Sequence, residues 1–402
     1  MKMGAIRVRT KLLITVVLLI VMMLTIVGCG EKAVQQDIDA TNSGNVSEWL
    51  ENAELDKDFT VEELYENAKK EGKVVVYSMS SRIKTIKESF EKEYPGVTVE
   101  GYDMRMAEIF EKTEREHAAG LNNVDVLFVK DSDGAMVNEF MKTGILHKYI
   151  PSDIGAQIPQ EYHKYAFAPY IEMKQVFYNT EAYETCPVTN WWDLTKSEFK
   201  GKIMLANPIS TAENMGLFMA MIQNADEMAV AYKEAFGEEI VLDGTENAGY
   251  EFMKRLAAND LILTNSDSEV VEAIGAPGQT NPPIGIAVSS KLRDRSKGLE
   301  IGTTYEMEPR FSVPAPAYLV IADHAPNVNA AKLFIRWVGG EADGAGEGLD
   351  PFRVVGSWPT NENIPTEEET PPLDTLNVWD LDLDFNYDHL NKINNFWISV
   401  LN

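Results

Sequence analysis

The apolar positions of this chain fall into short β-branched runs separated by amphipathic stretches, a pattern that begins near residue 60. Thr60-Val-Glu-Glu63 has the spacing of a capping box, which predicts a helix to about Lys70 ended by Gly72. Lys73–Tyr77 is a β-branched run of the kind buried on both faces of a sheet. An amphipathic stretch from Ser81 to Glu93 follows and stops at Tyr94-Pro95-Gly96. The alternation continues with a strand over 97–101, a helix over 104–119, a strand over 124–129 and a helix over 132–143. Strand and helix in strict alternation predict a parallel sheet covered by helices on both faces.

The pattern restarts with a strand over 202–206, helices near 212–223 and 248–259, and strands over 261–264 and 284–288. Between the two sets, 167–170 and 174–178 read as extended and aromatic. After the second set, Phe311 to Ile321 runs extended through Pro314 and Pro316, ahead of an amphipathic helix over 327–338. The expected fold class is therefore α/β, two Rossmann-like lobes joined by a hinge that the chain crosses twice. The expected boundaries are 59–167 plus 312–402 for the first lobe and 168–311 for the second. Open α/β sheets bind ligands outside the carboxyl ends of their strands. Two such lobes face to face make a cleft suited to hinge closure on a small molecule.

Residues 1–29 read as a secretory leader. Lys2, Arg7, Arg9 and Lys11 form a basic head, and Leu12 to Val27 is an apolar run broken only by Thr15 and Thr25. That run is short for a membrane helix, which needs about 20 residues, and fits a signal core. Residues 30–58 lack periodicity and are expected to form a flexible tether. Over all 402 residues, 63 Asp and Glu stand against 36 Lys and Arg, a net charge of −27. Such a field repels phosphate backbones and argues against nucleic acid as a partner. Two cysteines rule out a disulfide framework or a zinc site built on several thiolates. Cys186 reads as a structural thiol.

Ile26-Val27-Gly28-Cys29 resembles the lipobox of bacterial lipoproteins, in which the cysteine receives diacylglycerol. Further along, Lys69–Ser78, Val124–Val129, Val176–Thr180, Trp191-Trp-Asp-Leu with Phe199–Ile203, and Ala325–Trp337 appear in the order seen in family-1 extracellular solute-binding proteins of ABC importers. The chain is similar to the branch labelled iron(III) or small-anion binding. The resemblance implies a type II periplasmic-binding-protein fold and a lipid anchor at Cys29 on the outside of the cell. It also implies a monomer that delivers a captured solute to an ABC permease. No cofactor is implied, ferric iron being a transported ligand if it binds. A sensor with the same fold and a secreted enzyme are the rival readings. No Gly-x-Ser-x-Gly, His-Glu-x-x-His, P-loop or dinucleotide glycine pattern supports the enzyme.

Candidate binding residues follow from the strand ends. Ser78, Ser80, Ser81 and Arg82 lie between the first strand and its helix, where free N–H groups, hydroxyls and a guanidinium suit an anion. Ser210, Thr211 and Asn214 form the matching loop of the second lobe, and the resemblance places family ligand contacts at both loops. Asp131 either accepts from a ligand or caps the next helix. Tyr178 and Asn179 end a hinge segment, and Ser289 and Ser290 end the strand over 284–288. A small anion of phosphate-ester or phosphonate type is the favoured solute, and ferric iron is the alternative. Fe³⁺ favours phenolate oxygen, which Tyr77, Tyr178 and Tyr305, with Tyr318, would supply if they converge in space. Iron-binding members of the family carry a tandem tyrosine pair in the second lobe, and no Tyr-Tyr occurs here. The histidines at 117, 147, 163, 324 and 389 show no metal-ligand spacing and read as surface or packing residues. Asp380 to Asp388 has the alternating acids of a calcium loop but Phe385 where glycine is needed. It reads instead as a solvated segment leading into a helix capped near Asp384.

Overall fold

The alternation is realised as two mixed sheets that share one long strand, in a computed structural model describing residues 48–401. Helix α1 (Val61–Glu71) starts at the expected box: the Glu63 amide donates to Thr60 Oγ1 and the Thr60 amide donates to Glu63 Oε2. Gly72 ends it at φ +78°, a left-handed turn that an L side chain resists. Strand β1 (Lys73–Ser78) then pairs in parallel with β2 (Thr98–Asp103) on one side and β3 (Val126–Lys130) on the other. Helices α2 (Ile83–Glu93) and α3 (Met106–Ala118) are the crossovers.

Strand β4 is short (Leu146–His147), and β5 runs unbroken from Phe167 to Asn179 with every residue buried. The two extended segments expected at 167–170 and 174–178 are thus one strand. Its first half closes the first sheet through β10 (Pro314–Ala322), giving the order β2-β1-β3-β10-β5. Its second half pairs with β8 (Ile284–Val288), which continues into β6 (Ile203–Ala206) and β7 (Ile262–Thr264). Both β5 and β10 run antiparallel to their neighbours, so the sheets are mixed where a parallel sheet was expected. The chain returns to the first sheet through β10, and an antiparallel strand is the direct way to come back across a hinge.

The second sheet is covered by α4 (Ala212–Gln223), α5 (Ala225–Phe236), α6 (Ala248–Ala258) and α7 (Asp267–Gly275). Helices α5 and α7 were not anticipated. After β9 (Ile301–Thr303) and β10 come α8 (Val328–Val338), β11 (Trp358–Pro359) and α9 (Leu383–Leu401). The helix expected over 132–143 is only a π-helical stretch, Met136–Met141.

Two boundaries differ from expectation. Within the tether expected at 30–58, residues 48–58 pack on the first lobe: Ala53 and Leu55 are buried, and Lys332 Nζ donates to the carbonyls of Ala53 and Glu54. The leader, Cys29 and residues 30–47 lie outside the described residues. Helix α9, expected with the first lobe, packs on the second, where Ile393 and Trp397 are buried and Trp397 lies 5.3 Å from Phe218. Its cap is Asp382, which accepts from the Phe385 amide, and not Asp384, which pairs with Lys142. No described helix is long and apolar enough to cross a membrane.

Candidate functional site

The carboxyl ends of β1 and β3, the middle of β5 and the segment after β8 converge on a cavity of about 350 Å³ between the lobes. The turn after β1 supplies Ser80, Ser81 and Arg82. Ser78 shapes that turn from below, its hydroxyl donating to the Ser80 carbonyl (3.0 Å) and accepting from the Ser80 amide (3.1 Å). Ser80 Oγ in turn accepts from the Arg82 amide, so Arg82 enters α2 with its backbone fixed and its side chain free to lie in the cavity. There its guanidinium sits 5.1 Å over the ring of Phe352, which stacks on Tyr170 with centroids 4.5 Å apart.

Lys130 ends β3 at the floor. It is almost fully buried and lies 2.6 Å from Glu172 of β5 and 3.4 Å from Glu213 of α4. Burial alone would push the Glu172 carboxyl up, but Lys130 outweighs it and brings it down to about 2. The same balance of burial against Lys130 holds Glu213 below the usual carboxylate range, and Glu172 and Glu213 together hold Lys130 above the usual ammonium range. From the other lobe, Arg293 follows β8 and donates to the carbonyl and hydroxyl of Ser290 at 2.5 and 2.8 Å. Burial, and next the nearby charge of Arg82, lower its pKa. Two guanidinium groups from opposite lobes therefore face one cavity, and neither forms an ion pair within 4.0 Å among the described residues. Counting side chains, Arg82, Lys130 and Arg293 stand against Glu172 and Glu213, which leaves the cavity one positive charge in excess.

Of the expected residues, Ser80, Ser81 and Arg82 line the cavity, and Ser290 joins them. Others spend their polar atoms elsewhere. Asp131 accepts from the Met136 and Val137 amides, the capping alternative. Asn179 binds the Ile274 and Ala276 carbonyls and accepts from the Glu181 and Ala182 amides. Asn214 Nδ2 donates to the Ala206 carbonyl at 2.7 Å. Ser210 is exposed, its hydroxyl donating to the Asn207 carbonyl, and neither it nor Thr211 lines the cavity. The first turn of α4 instead presents Glu213, and a carboxylate there takes the favourable end of the helix dipole that an anion would use.

The four tyrosines of an iron site do not converge on the cavity, whose lining includes none of Tyr77, Tyr178, Tyr305 and Tyr318. Tyr77 Oη donates to Glu116, Tyr178 packs on Gly302, and Tyr305 lies against Phe311 and Trp358. Lys130, Tyr170, Glu172, Arg293 and Phe352 were not singled out as ligand contacts. Glu172 carried a signal, being a charged residue inside an apolar, fully buried strand, which normally requires a partner. Cys186 is half-buried, its thiol pushed up to about 11 by burial, which suppresses the reactive thiolate.

No protein-family model and no curated relative matches the chain. Solved structures do. The chain is similar to the apo ferric ion-binding protein A of Pasteurella haemolytica, at TM-score 0.61 and 18% identity over 82% of this chain and 98% of that one. It is similar to the periplasmic binding protein AfuA of Actinobacillus pleuropneumoniae with fructose-6-phosphate bound, at TM-score 0.60 and 20% identity over 82% and 98%. Iron-bound HitA of Pseudomonas aeruginosa matches at TM-score 0.60 and 13% identity over 82% and 99%. At these identities the likeness establishes the fold: two hinged α/β lobes of the type II periplasmic-binding-protein kind.

Proposed function

We propose that this chain is the substrate-binding protein of an ABC importer, held outside the cell by a lipid on Cys29. It captures a small anionic solute, of phosphate-ester or phosphonate type, in the interlobe cavity. The observation that carries the reading is the pair Arg82 and Arg293. A guanidinium binds phosphate oxygens in bidentate fashion, and two of them on opposite lobes give an anion a larger stake in the closed form than in the open one. Ser80, Ser81 and Ser290 add hydroxyl donors around the same space. The fold shared with a protein solved with fructose-6-phosphate supports the same class of ligand. The fold shared with ferric ion-binding proteins supports iron as the alternative cargo. Among the described residues only Tyr170 offers a phenol to the cavity, however, and burial, reinforced by Glu172, holds it well above the usual phenol range.

The test is thermal unfolding of the purified chain against inorganic phosphate, sugar phosphates, aminoethylphosphonate and ferric citrate. A phosphate-class ligand is expected to raise the midpoint by mass action on the folded state, and Arg82→Ala and Arg293→Ala each to remove the shift. A shift by ferric citrate alone, or one that survives both substitutions, would overturn the reading.

A further inference from the structure

Of the five charged side chains in the cavity, four have a partner or a role: Arg82 and Arg293 face the solute, and Lys130 and Glu172 pair at 2.6 Å. Glu213 is the fifth. It enters from the first turn of α4, on the second lobe, and its side chain is 24% exposed. Its one ion pair among the described residues is with Lys130, and it is loose, at 3.4 Å, because Lys130 is already committed to Glu172. No other described residue donates a hydrogen bond to it, and neither guanidinium lies within 4.0 Å. An ionised carboxylate offers about four acceptor positions, so most of its capacity is open to the cavity. Its placement has local causes. Thr211 makes no side-chain cap, so Glu213 is the group that answers the helix dipole, and Gly216, one turn on, lets α4 lie against Ser132 of the first lobe. Burial works to neutralise the carboxyl, but Lys130 and next Lys174 outweigh it, and it is ionised at neutral pH.

Resting on the anion reading, we infer that Glu213 sets the specificity of the cavity: it selects phosphate esters or phosphonates that carry a protonated amine at the end remote from phosphorus. The cavity is bipolar, since the two guanidinium groups and Glu213 stand apart with the Lys130–Glu172 pair as a further group of balanced charge. A phosphate monoester is a dianion above its second pKa of about 6. With an ammonium at its other end the solute carries one net negative charge, which matches the single positive charge the cavity has in excess. A plain alkyl phosphate overshoots that balance by one charge, and it leaves Glu213 desolvated with nothing to accept from, which is costly. A solute with a second carboxylate overshoots by two and sets like charges against each other. An ammonium, with three donors and no acceptor, is the complement of a carboxylate short of donors.

The experiment is calorimetric titration of the purified chain at about pH 8, where phosphate monoesters are doubly charged, with phosphoethanolamine, propyl phosphate and phosphoglycolate. These three esters are of similar length and end in an ammonium, a methyl and a carboxylate. The native chain is expected to bind phosphoethanolamine at least about tenfold more tightly than propyl phosphate, and phosphoglycolate most weakly. Glu213→Gln should bring the first two within about threefold of each other and strengthen phosphoglycolate binding. That variant is expected to fold, since it gives up only the 3.4 Å contact with Lys130. Glu213→Asp, which keeps the charge, should keep the order of the three. Equal binding of phosphoethanolamine and propyl phosphate by the native chain, or a preference unchanged in Glu213→Gln, would overturn the role of Glu213 and leave the anion site standing. Binding of none of the three would overturn both. Arg82→Ala separates the two layers, because it should weaken all three esters alike.

Discussion

Replacing Lys130 by Met keeps the volume of the side chain and removes the charge that Glu172 depends on. The two groups lie 2.6 Å apart with side chains 7% and 10% exposed. Their gross attraction is about 6 kcal/mol at an effective dielectric of about 20, and the desolvation of both groups offsets most of it. The variant has no such offset. It leaves a buried carboxylate facing Ser290, with Arg82 and Arg293 beyond ion-pair distance, and a loss of about 3–5 kcal/mol is expected. Glu213→Gln removes only the 3.4 Å contact and leaves the Lys130–Glu172 pair intact, so its loss should be about 1 kcal/mol or less. The pH dependence separates charge from packing. In the native chain the Glu172 carboxyl is held at about 2, below its ordinary 4.5, so its stabilising contribution is complete above 4.5 and is lost as the pH falls toward 2. Without Lys130, burial raises the carboxyl instead, and the folded variant takes up a proton that the unfolded chain does not. The penalty should then be smaller at pH 5 than at pH 7. Guanidinium unfolding at both pH values, with unchanged slope, measures it. A variant within about 0.5 kcal/mol of the native chain at pH 7, or a penalty equal at both pH values, would refute the reasoning.

Lys332, buried against Phe59 with its ammonium on the Ala53 and Glu54 carbonyls, is pushed down to about 8 by burial. Its folded pKa lies below the unfolded 10.5, so native stability should rise between pH 8 and 10, and Lys332→Met should flatten that rise in denaturant midpoints. Gly134 sits at φ +83°, and a β-carbon there would run into the backbone carbonyl of Leu383. Gly134→Ala should lower stability by at least about 2 kcal/mol in chemical denaturation. Trp397→Ala, which empties the contact with Phe218, should lose about 3–5 kcal/mol. Added calcium should shift neither the native chain nor this variant in thermal unfolding, because Asp382 and Asp384 are already engaged.

Elements whose cause is local were legible in the sequence. Thr60 and Glu63 cap α1 through atoms three residues apart, and the β1 run is buried whatever its neighbours. Ala212–Gln223 matched the expected span to the residue. Helix α5 was hidden because Asn224 both ends α4 and begins α5, so no loop composition separates them. The direction of β10 was hidden because pairing partners lie far along the chain: Tyr318 opposes Val129, and nothing near either residue says so. Helix α9 follows the same rule. Its apolar face was evident, but the identity of the surface it covers depends on the second sheet being built first.

The solute cavity shows the same division at the level of single side chains. The turn after β1 was predictable, since the strand-end rule and the Ser80–Arg82 sequence coincide within a few residues. Arg293 and Glu172 become neighbours of Arg82 only when β5 crosses the hinge and β8 pairs with it, and their chemistry is then shared across lobes. Competition for polar atoms decided the rest. Asn214 and Asp131 had the right chemistry at the right strand ends, but each found a backbone partner close by, Ala206 for one and the amides of 136 and 137 for the other. A buried polar group takes the partner nearest to it. At the cavity the informative groups are therefore Arg82 and Arg293, which face it from opposite lobes without a carboxylate within 4.0 Å among the described residues, and the proposed anion rests on them.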